Sequence, residues 1–250
     1  MHRKTVLGVK MIDYNLILGD CLTEMKKMKD CSVDVIITSP PYNDSGSTEN
    51  DKINKRHYKY ETFENREDWF EWQCECIDEM LRITKRHILY NIQPILNNKK
   101  DVYKIIGKYA DKIDNILIWY KPNAQPQHYP HRIANFYEMV LILKGQKFDK
   151  LYITENGYNN VIVRNINSNH NYSDIHRAVM SESFCDELIH NFTLPKETVL
   201  DPFMGLATTG ISCIKEKRDF IGIEIYEPYY KLAKERMQRE NAQTNIYDFI

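Results

Sequence analysis

The sequence predicts an α/β protein organised as a doubly wound, mostly parallel sheet with a small insert. Three observations carry that expectation. Short runs rich in Ile and Val alternate with segments of helical period, the pattern of βαβ units joined by right-handed crossovers. One apolar run beginning at Val33 stops abruptly at Ser39, Pro40, Pro41 and Tyr42, and another beginning at Thr198 enters Asp201, Pro202, Phe203, Met204 and Gly205. Open α/β sheets bind ligands at the carboxyl ends of their strands, so two such strand ends predict one site built from both.

Residues 15–20 read as a short strand ending in Gly19 and Asp20, and residues 21–29 as a helix with Leu22, Met25 and Met28 on its apolar face. The run from Val33 holds five β-branched residues, interrupted by Asp34 alone, and reads as a buried parallel strand followed by a stiff loop. Residues 44–59, rich in Asn, Ser and Lys, form a loop that can close over a substrate. Asn65 with Asp68 three residues on opens a helix whose buried stripe is Trp69, Trp72, Cys76, Met80 and Leu81, with the tryptophans read as core. Residues 87–92 read as a strand, 102–113 as a helix, 116–120 as a strand and 121–132 as a loop containing Pro and Gln. Residues 136–143 return as a strand ended by Gly145. From 146 to 174 the pattern breaks into an Asn-rich segment with one apolar piece, Val161 to Val163, read as an insert on the sheet and not a second core. A strand from Thr198, a tight turn, a helix and a strand at 220–225 complete the chain.

The two strand ends carry different chemistry. Prolines lack N–H donors, so the chain at 40–41 cannot continue a ladder and the Pro40 carbonyl is left over. With the Ser39 hydroxyl and the Tyr42 ring it makes a pocket for a flat group bearing an amino function. At the second end, Gly205 lets a ligand approach the backbone closely, and the N–H groups that open the next helix attract a carboxylate. Glu224 follows Asp201 by 23 residues, close to the βαβ spacing at which an acidic side chain takes ribose hydroxyls.

Composition narrows the classes. A chain of 250 residues is long enough for one large domain with a sizeable core. A formal net charge of −1 excludes a histone-like protein while leaving local patches open. Residues 97–150 hold ten Lys or Arg against five Asp or Glu, a basic half suited to phosphates. The six cysteines are scattered without metal spacing, as suits a reducing cytosol. His128 and His131 are spaced like ligands but have no acidic or thiol partner nearby, so no metal is expected. No apolar leader or membrane span is visible, and a cytoplasmic protein is expected.

Thr38-Ser39-Pro40-Pro41-Tyr42-Asn43 resembles the catalytic motif of DNA amino-methyltransferases, which carry Asp, Asn or Ser before Pro-Pro-Tyr. The stretch from Asp201 to Thr209 resembles their cofactor motif, and the likeness continues through Gly222, Glu224, Tyr229, Ala233 and Arg236. It departs at Leu206 and Ala207, where the family has Ser and Gly. The catalytic motif precedes the cofactor motif, an order similar to the β group of that family, and His176, Arg177 and Ala178 look like its His-Pro-Ala element.

The resemblance implies a circularly permuted Rossmann-like methyltransferase sheet that uses S-adenosyl-L-methionine. It implies a catalytic half at 1–145, a recognition insert at 146–175 and a cofactor-binding half at 176–250. Ser39, Pro40, Pro41 and Tyr42 would be catalytic. Asp20, Cys21, Thr38, His176, Asp201, Pro202, Phe203, Gly205, Thr208, Thr209 and Glu224 would line the cofactor, and Lys52, Arg56, Lys121 and Arg132 would meet DNA. The implied substrate is double-stranded DNA with a flipped base, methylated at cytosine N4 ahead of adenine N6 by a monomer or homodimer. A cognate restriction endonuclease is the implied partner. The departure at Leu206 and Ala207 raises a competing reading, an inactive module that binds cofactor and DNA, against which the intact Ser39 to Tyr42 motif argues.

Overall fold

The computed structural model describes residues 5–6, 9–10, 12–41, 66–95, 98–124, 131, 133–155, 157–166 and 180–247. Strands β1 (Thr5–Val6) and β2 (Val9–Lys10) form a small antiparallel pair. The remaining described strands make one eight-stranded sheet. They are β3 (Tyr14–Leu18), β4 (Val33–Thr38), β5 (Thr84–Ile92), β6 (Ile113–Tyr120), β7 (Tyr137–Lys144), β8 (Val161–Val163), β9 (Thr198–Asp201) and β10 (Asp219–Glu224), in the spatial order β3-β10-β9-β4-β5-β7-β6-β8. All neighbours are parallel except β7, which runs antiparallel to both β5 and β6.

Helices cover both faces, which is why the central strands are apolar without alternation. On one side α1 (Cys21–Lys27), α2 (Arg66–Ile83) and α3 (Lys99–Lys108) pack against Val33, Ile36, Ile88, Tyr90 and Ile92. On the other, α4 (Glu182–Phe192), α5 (Thr208–Lys215) and α6 (Glu227–Tyr247) cover Val35, Ile37, Leu89, Val199 and Phe220. Among the described residues no helix is long and apolar enough to cross a membrane.

The permuted order is visible in the pairing. The last strand, β10, lies parallel between β9 and β3, with Glu224 opposite Leu18, so the end of the chain supplies the neighbour of its beginning. Gly19 N–H then donates to the Glu224 carbonyl at 2.9 Å, drawing the tips of β3 and β10 together.

Several element ends differ from the sequence reading, and three differences bear on the fold. The helix expected at 102–113 runs from Lys99 to Lys108, because Tyr109 is pulled onto α2, its hydroxyl donating to the Cys74 carbonyl at 2.9 Å and to Asp78 at 2.8 Å. The strand expected to begin at 87 begins at Thr84, whose hydroxyl donates to the Met80 carbonyl at 2.7 Å and passes the chain from helix directly to strand. The insert at 146–174 does more than lie on the sheet: β8 extends it, pairing parallel with residues 118–120 of β6.

Gly145 ends β7 for a packing reason. Its N–H donates to the Arg86 carbonyl at 2.8 Å, and a Cβ there would stand 2.7 to 2.9 Å from the carbonyl oxygens of Thr84, Lys85 and Arg86. Backbone cannot yield as a flexible side chain does, so Gly145→Ala is expected to destabilise the fold by about 1–3 kcal/mol. A urea titration will show it as a lower midpoint; an unchanged midpoint contradicts this packing.

Candidate active site

The polar end of β4 is fixed from both faces of the sheet. Ser39 is half-buried, and Pro40 and Pro41 are buried. The Pro41 carbonyl accepts from Trp69 Nε1 at 3.2 Å and from Gln73 Nε2 at 3.4 Å, and Tyr90 hydroxyl donates to Gln73 Oε1. Trp69 is therefore core by burial, as its helical spacing indicates, yet its indole N–H also holds the loop. From the other face Asn91 Nδ2 approaches Ser39 Oγ at 3.4 Å. Among the described residues nothing donates to the Pro40 carbonyl, which stays available to an outside donor. Tyr42 lies outside the described residues.

One strand away, Asp201 closes β9 with a carboxylate only 1% exposed. Its Oδ1 accepts from Thr38 Oγ1 at 2.7 Å and Phe203 N–H at 3.1 Å, and its Oδ2 from Thr209 Oγ1 at 2.8 Å. Burial pushes this carboxyl up to about 6 against the pull of the three donors. Thr38, Asp201 and Thr209, expected as cofactor contacts, thus use these groups on one another. They form the strut that ties the end of β4 to the turn after β9.

The turn itself is shaped by backbone bonds. Gly205 has φ 51°, a left-handed conformation that glycine adopts without steric cost, and its N–H donates to Glu224 Oε2 at 2.9 Å. Glu224 Oε1 accepts from Tyr226 N–H at 2.8 Å, and desolvation pushes the Glu224 carboxyl up to about 7. Ala207 has φ 58° yet keeps the turn closed, its N–H donating to the Met204 carbonyl at 2.8 Å. The Ala at this position carries left-handed strain of about 1–2 kcal/mol, which the family's glycine would not.

The donor set here fits a nucleoside-bearing cofactor. Thr208, first residue of α5, is buried, and its hydroxyl has no partner among the described residues. Glu224 sits at the strand tip, and the Gly205 backbone offers no side chain to block approach. Asp20 stands across from Glu224 but uses Oδ1 as the N-cap of α1, accepting from Thr23 N–H at 2.8 Å. Cys21 is a core residue rather than a lining one, its Sγ 3.9 Å from the buried Cys76 Sγ. Pro202 is buried, and Phe203 packs on Trp72 with ring centroids 5.6 Å apart. His176 lies outside the described residues.

Of the residues expected to meet DNA, Lys121 is corrected. It is 7% exposed, its Nζ bonds Glu138 Oε1 at 2.8 Å and sits 5.4 Å from the Trp119 ring, so it serves the interior. Lys52, Arg56 and Arg132 lie outside the described residues. The basic excess of 97–150 also sits partly at the wrong end: Lys108, Lys112, Lys144 and Lys147 cluster by the strands' amino ends, opposite Ser39 and Glu224. Gln73, Tyr90, Asn91 and Glu138 were missed by sequence reasoning. Their signal is a buried polar side chain within an apolar helix or strand, which becomes informative once the partner is seen.

A family profile described as DNA methylase, covering N6 and N4 methyltransferases, matches residues 33–235. The Type II methyltransferase M.BglII of Bacillus subtilis is 26% identical over 269 residues, covering 92% of this chain and 70% of the relative. The solved PvuII DNA methyltransferase (cytosine-N4-specific) superposes with TM-score 0.69 at 16% identity, covering 93% of each chain. The M1.HpyAVI complex with SAM superposes with TM-score 0.60 at 22% identity, covering 90% of this chain and 99% of the other.

Asp201 makes a pH-dependent contribution to stability. Its folded pKa of about 6 exceeds the ordinary 3.8, so the stabilisation is complete below about pH 4 and is lost as pH rises through 6. Asn in its place keeps all three contacts, since its oxygen still accepts from Thr38 and Phe203 and its amide can donate to Thr209. Asp201→Asn is therefore expected to gain on the native protein by on the order of 2–3 kcal/mol between pH 4 and pH 8. Urea denaturation across that range measures the gain; parallel curves for the two proteins contradict it.

Proposed function

The chain belongs to the DNA methylase family of N6 and N4 amino-methyltransferases, and from that premise we propose that it methylates cytosine N4, with Ser39 and the Pro40 carbonyl receiving the two protons of the target amino group. Family members transfer a methyl group from S-adenosyl-L-methionine to an exocyclic amino nitrogen of DNA. The observation that carries the assignment of roles is the 2.7 Å bond from Thr38 to Asp201, which sets the residue before Ser39 on the carboxylate that also anchors the cofactor turn.

Asp20, Gly205, Thr208 and Glu224 would hold the cofactor, which when bound supplies an electrophilic methyl on a sulfonium. Glu224 retains lone pairs for ribose hydroxyls beside its two backbone bonds. The target nitrogen is a poor nucleophile because its lone pair is delocalised into the ring. Accepting its protons at Ser39 Oγ and the Pro40 carbonyl localises that pair and aims it, and such orientation is worth roughly 7–11 kcal/mol of barrier. The nitrogen pair forms the new bond to carbon, the sulfur keeps the pair of the bond that breaks, and the surplus amino proton passes to solvent.

Flipping the base out of the duplex costs a few kcal/mol, and stacking on Tyr42 would return about 1–3 kcal/mol. Cytosine presents an amino group beside an acceptor ring nitrogen, and the neutral Ser39 hydroxyl can accept from the first and donate to the second. Adenine offers the same pair of groups, so the preference for cytosine rests on the Ser-Pro-Pro-Tyr and His176 to Ala178 resemblance and on the likeness to the cytosine-N4-specific PvuII enzyme. A cognate endonuclease recognising the same site would be the natural partner of such a methyltransferase.

Two outcomes test this reading. DNA treated with the protein and cofactor, digested to nucleosides and examined by mass spectrometry, is expected to carry N4-methyldeoxycytidine; methyl on deoxyadenosine alone overturns the base assignment. Calorimetric titration with S-adenosylhomocysteine is expected to show affinity falling as pH drops from 8 to 6, because Glu224 protonates near 7 and loses an acceptor for ribose. In Glu224→Gln binding is weaker at pH 8 and flat with pH; an unaltered pH dependence removes Glu224 from the ribose site.

A further inference from the structure

We infer that Asn91, held by Glu138 and Lys121, is a positioning residue that sets the rotation of the Ser39 hydroxyl for methyl transfer. The inference rests on the role given to Ser39 above. Asn91 lies at the carboxyl end of β5, one residue from its last, on the strand next to β4. It is 1% exposed, and its Nδ2 donates to Glu138 Oε2 at 2.6 Å while facing Ser39 Oγ at 3.4 Å. Glu138 Oε1 in turn accepts from Lys121 Nζ at 2.8 Å, and both of these side chains are buried.

This chain runs across three neighbouring strands, β5, β7 and the end of β6, and finishes at the Ser39 hydroxyl of the catalytic motif. A buried Lys–Glu pair is a costly element to keep for stability alone, since an apolar replacement of similar volume is often neutral or stabilising. It does, however, fix the amide. Turning Asn91 over would set its oxygen against the Glu138 carboxylate, so Nδ2 must face Glu138 and can share its second proton only with Ser39. The Asn91 oxygen has no partner among the described residues, which leaves the nitrogen as the only anchored end of the amide.

The consequence falls on Ser39. A serine hydroxyl has one proton and two acceptor positions and rotates freely unless a neighbour decides. With Asn91 donating into one acceptor position, the other is left for the target amino proton, and the hydroxyl proton is turned toward the ring nitrogen of the base. The 3.4 Å separation is long for a hydrogen bond and shortens when substrate closes on the site, as catalytic hydrogen bonds do. Tyr90, the preceding residue, points to the opposite face and reaches Pro41 through Gln73, so β5 holds the motif from both sides while only Asn91 touches the reacting group's partner.

The test is a kinetic cycle with the full-length protein, DNA substrate and tritiated S-adenosyl-L-methionine under single-turnover conditions. Asn91→Ala is expected to lower the transfer rate by 10- to 100-fold with the Km for cofactor and the affinity for S-adenosylhomocysteine unchanged. Asn91→Asp, which keeps the shape but cannot donate to Ser39, is expected to lose as much. In a Ser39→Ala background, Asn91→Ala is expected to change the residual rate by less than twofold. A full rate in either single variant, or losses at 39 and 91 that multiply, overturns the positioning role. A Ser39→Ala protein as fast as the native one overturns the role given to Ser39 itself, and this outcome is separate from the other two.

Discussion

Asp201 carries a charge-bearing group into the centre of the sheet and surrounds it with three donors from three different segments. Thr38 comes from β4, Phe203 from the turn and Thr209 from the helix that follows. An isolated carboxylate in that position would be intolerable, and the donors make it tolerable only while all three segments keep their places. The end of β4 and the opening of α5 therefore do not take their places independently: Thr38 and the first turn of α5 are registered on the same two oxygens. Glu224 repeats the device one strand further out, taking the Gly205 and Tyr226 N–H groups so that the turn and the tip of β10 close together.

The edge built this way joins distant parts of the sequence. β3, β10, β9, β4 and β5 stand side by side and all point the same way, so Asp20, Glu224, Asp201, Ser39 and Asn91 fall along one carboxyl edge although they span 204 residues from Glu224 back to Asp20. Where the sheet turns antiparallel, at β7, the row of parallel strand ends stops and a strand beginning takes its place. Glu138 enters from the beginning of β7 and reaches back toward β5.

Much of this was legible before any coordinates. The β-branched run from Val33, stopped by two prolines, read as a buried strand, and β4 is one. The strand, glycine turn, helix, strand and acid from Thr198 to Glu224 specified one βαβ unit, and its elements fall where the pattern put them. What stayed hidden was the use of polar groups inside the fold. The resemblance named Asp201, Thr38 and Thr209 together; it did not say that they bind one another. Lys121, in a loop with a basic neighbourhood, reads as a surface cation because nothing local announces Glu138, 17 residues on, as its partner. Gln73 and Asn91 were unremarkable letters in apolar segments for the same reason. The boundary errors at 84 and 108 have the same origin: a hydroxyl reaching a carbonyl from Thr84 and a phenol reaching across to α2 from Tyr109 are decided by tertiary contact and not by periodicity.

The most direct measurement is a crystal structure with S-adenosylhomocysteine bound. The ribose hydroxyls are expected on Glu224, the amino-acid end against the turn at Gly205 and the opening of α5, and the sulfur turned toward Ser39 and the Pro40 carbonyl with the Thr38 to Asp201 bond intact. A ligand bound elsewhere, or one whose sulfur faces away from Ser39 across an unbroken Asp201 strut, would contradict the account that this strut exists to bring donor and acceptor to one edge.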